Sequence, residues 1–522
     1  MATRYDAVIV GAGHNGLVAA AYLATAGRRV LVVERRDVAG GIASTIEFAP
    51  GFKASVGPDL CGLLLPQVVS DLRLADHGLD LLPLDPTVTT LDPDGAHLWL
   101  WRDESRTLDA IKTRSPRDAQ RYRDFATLVQ RIAAFLRPRM SQPAVQPEVE
   151  RAGDLIELLR LGVAFRRIGS EAMHETMRTL PMAIADFLNE WFEDDVLKAT
   201  LAMQGLQGVS LGPRSAGSAA VFLYHQLGQP AWPRAGWALP RGGAGGLAGA
   251  LVEAVEARGG EIRLNALVSK ILVKDGRAAG VVLENGDEIE ADTIASNASP
   301  RTTFLELLEP GVLAPEFVRE VMNIRYRGVT AKLLLALDRA PSFTTLGDTG
   351  AGGVAQIGST LDYLERAYDA VKYGRVSEAP VLEIVVPSLT DPTVAPDAHH
   401  VMSVTAQYAP YHLREGDWSE QGRALAATIL RQLETYWPDV REAILHHRMI
   451  TPLDYETTYG LPEGSLHHGE LALDQLYFMR PVPGWSRYRT PIDGLFLCGA
   501  GTHPGGGFSG ACGYNAARAI LR

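Results

Sequence analysis

Cysteine is scarce in this chain of 522 residues. Only Cys61, Cys498 and Cys512 occur, and no two of them form a C-x-x-C pair. This number and spacing exclude a disulfide framework, a cysteine-rich zinc site and a dithiol redox motif. Sparse cysteine is typical of a reducing compartment. We therefore expect a cytoplasmic protein, either soluble or in contact with the surface of a membrane.

The chain also lacks an excess of basic residues. Its 50 Lys and Arg against 61 Asp and Glu give a net charge of −11. An acidic chain offers no basic field to a phosphate backbone, so we expect no nucleic-acid partner. Three stretches without charged residues, 7–27, 215–233 and 494–517, are interrupted by polar residues, glycine or proline. None of them is a credible membrane span, and the first is not a credible cleaved leader because its apolar run stops at Gly11.

Motifs for metal binding and for acyl transfer are missing as well. The histidines include three adjacent pairs, at 399–400, 446–447 and 467–468. Neighbours along a chain rarely bind one metal ion, and no H-E-x-x-H spacing occurs. No G-x-S-x-G motif is present either. We therefore expect neither a metal site nor a serine nucleophile.

Glycine is the residue type in excess, and the first glycine cluster lies in a strand–helix–strand pattern. Residues 5–10 predict a buried strand, 17–26 a helix and 29–33 a second apolar strand. Between strand and helix stands the run Gly11-Ala12-Gly13-His14-Asn15-Gly16. Its glycines suit a tight turn, a close approach to a pyrophosphate and close packing of helix on strand. The helix N-terminus would supply N–H groups for the phosphates.

Glu34 ends the second strand, and its carboxylate is placed to bind the hydroxyls of a ribose. An acidic residue here favours FAD or NAD over NADP. Six residues later the pair Gly40-Gly41 would let the chain fold back along a long dinucleotide. Flavin domains often have such a pair and NAD domains do not need it. The pattern therefore favours FAD.

Two more glycine clusters follow, in the middle and at the end of the chain. Residues 240–247 open a helix, and strands are predicted around 261–264, 267–273, 281–283, 288–290 and 293–295. Residues 493–499 predict a buried strand, 500–507 a glycine-rich loop, and 509–521 a helix capped by Ser509. The fold class predicted is α/β plus α+β: a Rossmann-like FAD-binding domain from 1–65, 233–299 and 488–522. An inserted substrate domain is predicted from 66–232 and 300–487.

The chain resembles the phytoene-desaturase-like branch of the FAD-dependent amine oxidoreductase superfamily over essentially its full length. Residues 11–17, 40–57, 237–247 and 499–507 carry the resemblance. Within that branch it is similar to the group of pyridine nucleotide-disulphide oxidoreductase domain-containing protein 2, through 407–411, 468–471 and 473–481. Many relatives carry an acidic residue where this chain has Ala500. This departure resembles the desaturases more than the amine oxidases.

The resemblance implies FAD and a hydrophobic small-molecule substrate, carotenoid-like or lipid-like, that is oxidised by hydride transfer. The electron acceptor, a quinone or O₂, and the oligomeric state stay open. An amine oxidase and a flavin-bound regulatory or interaction protein are the alternatives. The residues predicted to contact the cofactor are Gly11, Ala12, Gly13, His14, Asn15, Gly16, Glu34, Arg35, Gly40, Gly41, Ile42, Ala43, Val268, Gly499, Ala500, Gly507, Phe508 and Ser509.

His468 is the candidate for a catalytic role beside the substrate, and a purely structural histidine is the alternative. Arg480 would either pair with a carboxylate or flavin oxygen, or brace the loop. In the inserted segments a helix is predicted to begin at Ser115-Pro116, and Pro138, Pro143 and Pro147 predict a loop. Residues 155–165 are apolar almost all round and have arginines nearby. We expect a buried helix there, and a helix resting on a bilayer is the alternative.

Overall fold

The computed structural model describes residues 4–148, 152–228, 237–343 and 352–522. The strands in this part are β1 (Tyr5–Val10), β2 (Val30–Val33), β3 (Thr45–Ala49), β4 (Phe52–Ser55), β5 (Leu81–Pro83), β6 (Val88–Leu91), β7 (Leu98–Leu100), β8 (Ala238–Pro240), β9 (Glu261–Arg263), β10 (Val268–Lys274), β11 (Arg277–Leu283), β12 (Glu288–Ser296), β13 (Thr330–Leu337), β14 (Val354–Ile357), β15 (Val381–Val385), β16 (His400–Gln407), β17 (Ile444–Ile450) and β18 (Leu495–Leu497).

The α-helices in the same part are α1 (His14–Thr25), α2 (Pro66–Asp71), α3 (Glu104–Arg114), α4 (Pro116–Met140), α5 (Ala152–Arg167), α6 (Ser170–Thr179), α7 (Ile184–Trp191), α8 (Asp195–Ala202), α9 (Ser218–His225), α10 (Ala244–Glu256), α11 (Pro315–Met322), α12 (Leu361–Lys372), α13 (Trp418–Tyr436), α14 (Val440–Ala443), α15 (Pro452–Tyr459) and α16 (Ala511–Ile520).

The first sheet has the strand order β10-β11-β12-β1-β2-β9, and β18 also pairs with β12. The strands β9, β2, β1, β12 and β18 run parallel, whereas β10, β11 and the start of β12 form an antiparallel meander. Strands from all three glycine-rich stretches of the chain thus share one sheet. The exact domain boundaries stay predictions, and the one at 232 lies outside the described residues.

Both faces of the first sheet are covered, as expected of parallel strands with continuous apolar runs. Ala7 and Ile9 pack with α1, α10 and α16 on one face. Val8 and Val10 pack on the other face with residues of β10, β11 and α11. The buried run of β1 ends at Val10, directly before Gly11.

Several predicted element boundaries in this region are wrong. Helix α1 begins at His14 rather than at 17, so the glycine run itself forms the helix N-terminus. The two strands predicted at 288–290 and 293–295 are one continuous strand, β12. Helix α16 begins at Ala511, after Gly510 in the left-handed region at φ 69°. Ser509 is therefore not the cap residue, although its Oγ accepts a hydrogen bond from the Ala511 N–H at 3.2 Å.

The second sheet has the strand order β17-β13-β16-β15-β14-β6-β7. Its pairs are antiparallel except for β14 with β6. Along β13, Ala331, Leu333 and Leu335 pack towards α13. Because side chains alternate in a strand, Thr330 and Lys332 point to the opposite face. On that face Leu334 and Ala336 pack against the β3–β4 hairpin.

Helix α4 begins as predicted. The Ser115 Oγ accepts the Asp118 N–H at 3.1 Å, and Pro116 occupies the first helical position. The prediction of a loop at Pro138 is wrong, because this residue lies inside the last turn of α4. Proline has no N–H to donate to the carbonyl four residues earlier, so α4 loses one hydrogen bond near its end.

The expectation that the helix around 155–165 is buried is also wrong. On α5 the side chains of Leu155, Ile156, Leu159 and Val163 are between 49% and 60% exposed. Asp154 on the opposite side is buried and binds Arg487 at 2.8 Å. The sequence could not show this, because a helix that is apolar all round does not reveal which face packs inward. Across the described residues, every helix is too short or too polar to cross a membrane.

Candidate active site

A cleft runs along the carboxyl ends of the parallel strands of the first sheet, where ligands of open α/β sheets bind. We call it the dinucleotide cleft; it has an empty volume of about 1170 Å³. β1 leads into Gly11, β2 into Glu34 and β12 into Asn297, and all three residues line it. Of the predicted residues, the cleft is lined by Gly11, Gly13, His14, Asn15, Glu34, Arg35, Gly40, Gly41, Ile42, Val268, His468 and Ala500.

The glycine run leaves no room for side chains. Gly11 adopts the left-handed region at φ 94°. A Cβ added to Gly13 would lie 2.5 Å from the Asn297 amide nitrogen, and one added to Gly16 would overlap the Gly11 carbonyl oxygen. Gly16 lies behind the lining, and it allows helix α1 to pack closely on the turn. A phosphate would therefore meet bare backbone and the start of α1, as a dinucleotide requires.

The carboxylate of Glu34 is held by backbone on both of its oxygens. Its Oε2 accepts the Ala12 N–H at 2.8 Å and its Oε1 accepts the Arg36 N–H at 3.0 Å. Each oxygen keeps further lone pairs for a ligand. Ala12 thus contributes by orienting Glu34 rather than by lining the cleft. This arrangement fits the ribose of an adenosine.

The loop after β2 folds back beneath the glycine run. The Gly40 N–H donates to the Ala12 carbonyl at 2.8 Å, and the Ala43 N–H donates to the Gly40 carbonyl at 2.9 Å. Gly40 adopts φ 115°, which favours glycine. Ala43 is buried behind the lining, whereas Gly41 and Ile42 line the cleft. The cleft is thereby extended away from the ribose end, as a flavin dinucleotide needs.

Two neighbouring arginines are directed to the wall that α15 forms. The Arg35 guanidinium donates to the Thr457 carbonyl at 3.2 Å and to the Thr458 carbonyl at 2.6 Å. The Arg36 guanidinium lies 4.6 Å from the ring centre of Tyr459. Arg35 therefore joins two walls of the cleft through backbone carbonyls.

A second cavity, with an empty volume of about 1310 Å³, adjoins the dinucleotide cleft. We call it the apolar cavity. It shares His14, Ile42, Leu466 and Ala500 with the cleft. Its walls are mainly aliphatic and aromatic, and they include Leu60, Leu63, Met203, Leu206, Trp237, Val354, Val381, Val385 and Phe508. A flavin ring reaching the shared residues would meet a hydrophobic compound in this cavity.

His14 ties the first glycine cluster to the last one at this junction. Its Nε2 donates to the Gly507 carbonyl at 3.2 Å, and its ring packs edge-on against Phe508 with centres 5.3 Å apart. Burial lowers the pKa of His14 to about 4, so the ring is neutral near pH 7. Gly507 adopts φ 98°, which brings the loop to His14. Gly507 and Phe508 line the apolar cavity.

Two predicted residues at this end lie behind both cavities. A Cβ on Gly499 would lie 2.6 Å from the Asn297 carbonyl, so Gly499 allows the two strand ends to meet. Ser509 is fully buried, and its carbonyl accepts the Leu65 N–H at 3.0 Å. The structure therefore places Ser509 in the packing of the loop rather than on the ligand side.

The adjacent histidines 467 and 468 belong to different cavities. His468 adopts φ 53° and lines the dinucleotide cleft, whereas His467 lines the apolar cavity. Burial lowers the pKa of each to about 3. The catalytic role of His468 stays a prediction. Its neighbour is the histidine that lines the proposed substrate space, and sequence alone could not tell which of the two does so.

Arg480 is buried and donates its hydrogen bonds to backbone carbonyls. Its partners include Ala500 at 3.0 Å and 2.7 Å, Glu470 at 2.9 Å and Gln475 at 3.0 Å. Within the described residues no carboxylate accepts a hydrogen bond from it. Of the two roles considered for Arg480, the structure supports bracing of the C-terminal loop.

Sequence reasoning missed the charged residues of the apolar cavity. Lys332, on β13, is buried, and its Nζ lies 3.0 Å from the Oδ2 of Asp59. Glu383, on β15, also lines the cavity. The signal for Lys332 was present, because it is a single lysine within a run of apolar strand residues. No signal marked Asp59, which lies in a loop. Among the described residues, no cluster of His, Cys, Asp or Glu could hold a metal ion.

Comparisons with known proteins agree with this geometry. The model of the family "Flavin containing amine oxidoreductase" matches residues 16–521. The rat protein named pyridine nucleotide-disulfide oxidoreductase domain-containing protein 2 is 37% identical over 99% of this chain and 94% of its own length. A neurosporene-forming phytoene desaturase of Cereibacter sphaeroides is 27% identical over 97% of this chain and 92% of its own.

A solved structure shares the fold over the whole chain. A putrescine oxidase double mutant superposes with a TM-score of 0.60 at 16% identity, over 99% of both chains. These findings confirm the resemblance stated from the sequence motifs and the prediction of FAD. The chain belongs to the flavin-containing amine oxidoreductase family and is an FAD-dependent oxidoreductase.

Proposed function

We propose that the protein is a dehydrogenase or desaturase that oxidises a hydrophobic small molecule in the apolar cavity. The observation that carries this proposal is the junction of the two cavities at His14 and Ala500. It would give a bound hydrophobic compound direct access to the reactive end of a dinucleotide held by the first sheet. The walls are largely apolar, which suits a carbon-rich substrate.

When bound, FAD supplies the acceptor for a hydride. Glu34 and the run from Gly11 to Gly16 would hold its adenosine and phosphates. His14 keeps the first and last glycine loops together, and it does so as a neutral ring. His467 lines the cavity, but its pKa of about 3 makes it a poor proton acceptor near neutral pH.

We propose the division of the chain on the same grounds. The first sheet with α1, α10 and α16 would be a Rossmann-like FAD-binding domain, and the second sheet would belong to an inserted substrate domain. The two relatives above include a desaturase, which supports a hydrocarbon-like substrate. The likeness to a putrescine oxidase concerns the fold alone. An amine oxidase is therefore the alternative that an experiment must distinguish from a dehydrogenase or desaturase of hydrophobic compounds.

Anaerobic mixing of the FAD-loaded protein with candidate substrates tests the proposal. We expect linear polyenes to bleach the visible absorption of the flavin, and primary amines to leave it unchanged. Admitting O₂ or a soluble quinone afterwards would identify the electron acceptor by the return of colour. Bleaching by amines alone would favour an amine oxidase. No bleaching by any compound would favour a regulatory flavoprotein.

We also propose that α5 contacts a membrane with anionic lipids. Its outward face carries Leu155, Ile156, Leu159 and Val163, and exposed arginines at 160, 166 and 167 flank this face. Within the described part of the chain these arginines form no ion pair. The acidic Asp154 and Glu157 are instead bound by Arg487, at 2.8 Å and 3.1 Å. An apolar ridge edged by unpaired cations fits an anionic bilayer surface.

A chain of contacts links this helix to the cavity. The rings of Phe165 on α5 and Phe135 on α4 lie 5.0 Å apart. Further along α4, the Arg137 guanidinium donates to the Gly228 carbonyl at 2.7 Å. Gly228 packs against Gly62, which lines the apolar cavity. These contacts connect α5 through α4 to the wall of the apolar cavity.

Vesicle flotation tests the membrane contact. We expect the protein to float with vesicles of phosphatidylcholine and phosphatidylglycerol, and less with phosphatidylcholine alone. The double variant Leu159→Glu, Val163→Glu should stay at the bottom. The control Met322→Glu, which changes an exposed methionine of α11, should float like the wild type. Equal flotation of all variants would overturn this contact, as would a wild type that dimerises through α5 instead of floating.

A further inference from the structure

We infer that Asp59 and Lys332 form a binding site for a hydroxyl group at one end of an otherwise hydrophobic substrate. This inference rests on the proposed function, because it places that substrate in the apolar cavity. It adds the class of compound: an alcohol with a long hydrocarbon body rather than a pure hydrocarbon or an amine.

The site begins with a polar row across the second sheet. Lys332 on β13 lies opposite Thr405 on β16, and Thr405 lies opposite Glu383 on β15. All three line the apolar cavity. Their neighbours along each strand point to the other face and pack towards α13. Alternation along three strands thus places a band of polar side chains in a cavity whose remaining walls are mostly apolar.

Asp59 faces this band from the loop after β4. Its Oδ2 lies 3.0 Å from the Lys332 Nζ and accepts the Ser403 Oγ–H at 2.8 Å. Its Oδ1 is buried and has no hydrogen-bond partner among the described residues. The residue as a whole is only 7% exposed. A buried carboxylate oxygen without a donor is costly, so it calls for a donor from a ligand.

At the Asp59 Oδ1 position, the adjacent Lys332 ammonium favours a neutral donor over a second cation. Lys332 already balances Asp59, and its Nζ also donates to the Gly57 carbonyl. A second cation at Oδ1 would lie close to the Lys332 ammonium and be repelled by it. The other carboxylate of the cavity, Glu383, accepts the Gln207 amide at 2.7 Å and the Gln356 amide at 3.1 Å. A hydroxyl donates one hydrogen bond without adding charge.

Ligand-induced shifts of the flavin spectrum in the oxidised, FAD-loaded protein test this site without turnover. The probes are a linear prenyl alcohol, the hydrocarbon of the same skeleton and the corresponding primary amine. We expect the wild type to bind the alcohol about tenfold more tightly than the hydrocarbon, the effect of one hydrogen bond to a charged group. The amine should bind more weakly than the alcohol.

The variant Asp59→Leu, Lys332→Met removes both charges together, so neither is left unpaired. It should bind alcohol and hydrocarbon equally, with hydrocarbon affinity kept. The matched control Lys270→Met, Glu309→Leu removes an exposed ion pair of the first sheet and should keep the tenfold preference.

If the double variant does not fold, the binding measurements on the wild type still test the site. Equal binding of alcohol and hydrocarbon by the wild type would overturn the site while leaving the proposed function intact. Preference for the amine would overturn it too, as would a preference for the alcohol that persists in the double variant. If none of the three probes changes the flavin spectrum, both the proposed function and this inference fail.

Discussion

We expect a single side chain, Glu34, to hold the ribose of the cofactor. The Glu34 carboxylate is oriented by two backbone N–H groups before any ligand binds, so its remaining lone pairs are already directed at the cleft. Such preorganisation makes hydrogen bonds to a ribose strong, because little ordering is left to occur on binding. The Arg35 guanidinium is not preorganised for a ligand in this way, because it donates to carbonyls of α15.

Glu34→Ala should weaken FAD binding by tenfold or more. The change removes up to two hydrogen bonds to a charged group, each worth roughly 1.5–3 kcal/mol. Titration of the apoprotein with FAD, followed by flavin fluorescence, measures the affinity. The control Glu34→Gln keeps one acceptor oxygen, so its affinity for FAD should fall between those of the wild type and Glu34→Ala. Wild-type affinity in Glu34→Ala would show that the ribose is bound elsewhere.

The sequence predicted well those residues whose positions follow from the course of the backbone. It predicted poorly the directions in which side chains point. Gly11, Gly13 and Glu34 line the cleft because their places follow from the order strand, turn, helix, strand. His467 and His468 line different cavities, and no local pattern of residue types indicated which of them faces which cavity. Asp59 meets Lys332 across 273 positions of the chain, so only the folded sheet brings them together.

Packing between elements depends on a few close backbone contacts. Helix α16 crosses the start of α1 at Gly513, where a Cβ would overlap the Asn15 carbonyl oxygen. This contact joins the end of the chain to the helix that begins the dinucleotide cleft. By contrast, Gly249 on α10 is exposed and has no atom within 4 Å of an added Cβ.

Gly513→Ala should destabilise the protein and weaken FAD binding, whereas Gly249→Ala should stabilise it. Forcing a methyl group against backbone costs about 1–3 kcal/mol. Replacing an exposed helical glycine gains roughly 0.5–1 kcal/mol. Urea unfolding gives the free energies, and FAD titration gives the affinities. Equal stability of the two variants would contradict the close contact between α1 and α16.

Element types were predicted better than element ends or faces. The predicted strands β1, β2 and β18 and helix α10 are present, because their apolar runs are bounded by glycine. The start of α16 was predicted two residues early because Ser509 suits a cap position, while the glycine at 510 takes it in the structure. The exposed face of α5 could not be predicted, since its composition is apolar on both sides.

For the whole molecule, the buried histidines make stability depend on pH. Burial lowers the pKa of His14 and His503 to about 4 and that of His467 to about 3. In the unfolded chain these histidines bind protons near pH 6.5. As the pH falls below that value, the unfolded state takes up protons that the folded state does not. Stability is therefore full above pH 6.5 and is lost progressively towards pH 4.

We expect the free energy of unfolding to be lower at pH 5.5 than at pH 7.5, by about 1.4 kcal/mol for each such histidine. His503→Gln should reduce this difference by one such increment. The His503 Nε2 donates to the Arg139 carbonyl at 2.9 Å, and a glutamine amide can replace that donor. Urea unfolding at the two pH values measures the effect. An unchanged pH dependence in the variant would mean that His503 is protonated in the folded state.

We propose that one FAD oxidises one hydrophobic molecule at the junction of the two cavities. The most direct measurement is an anaerobic single turnover with a polyene or prenyl alcohol that bleaches the flavin. Flavin reduction is followed by absorbance, and the dehydrogenated product is counted by mass spectrometry. We expect one equivalent of product for each equivalent of flavin reduced. Product without flavin reduction, or reduction without product, would contradict it.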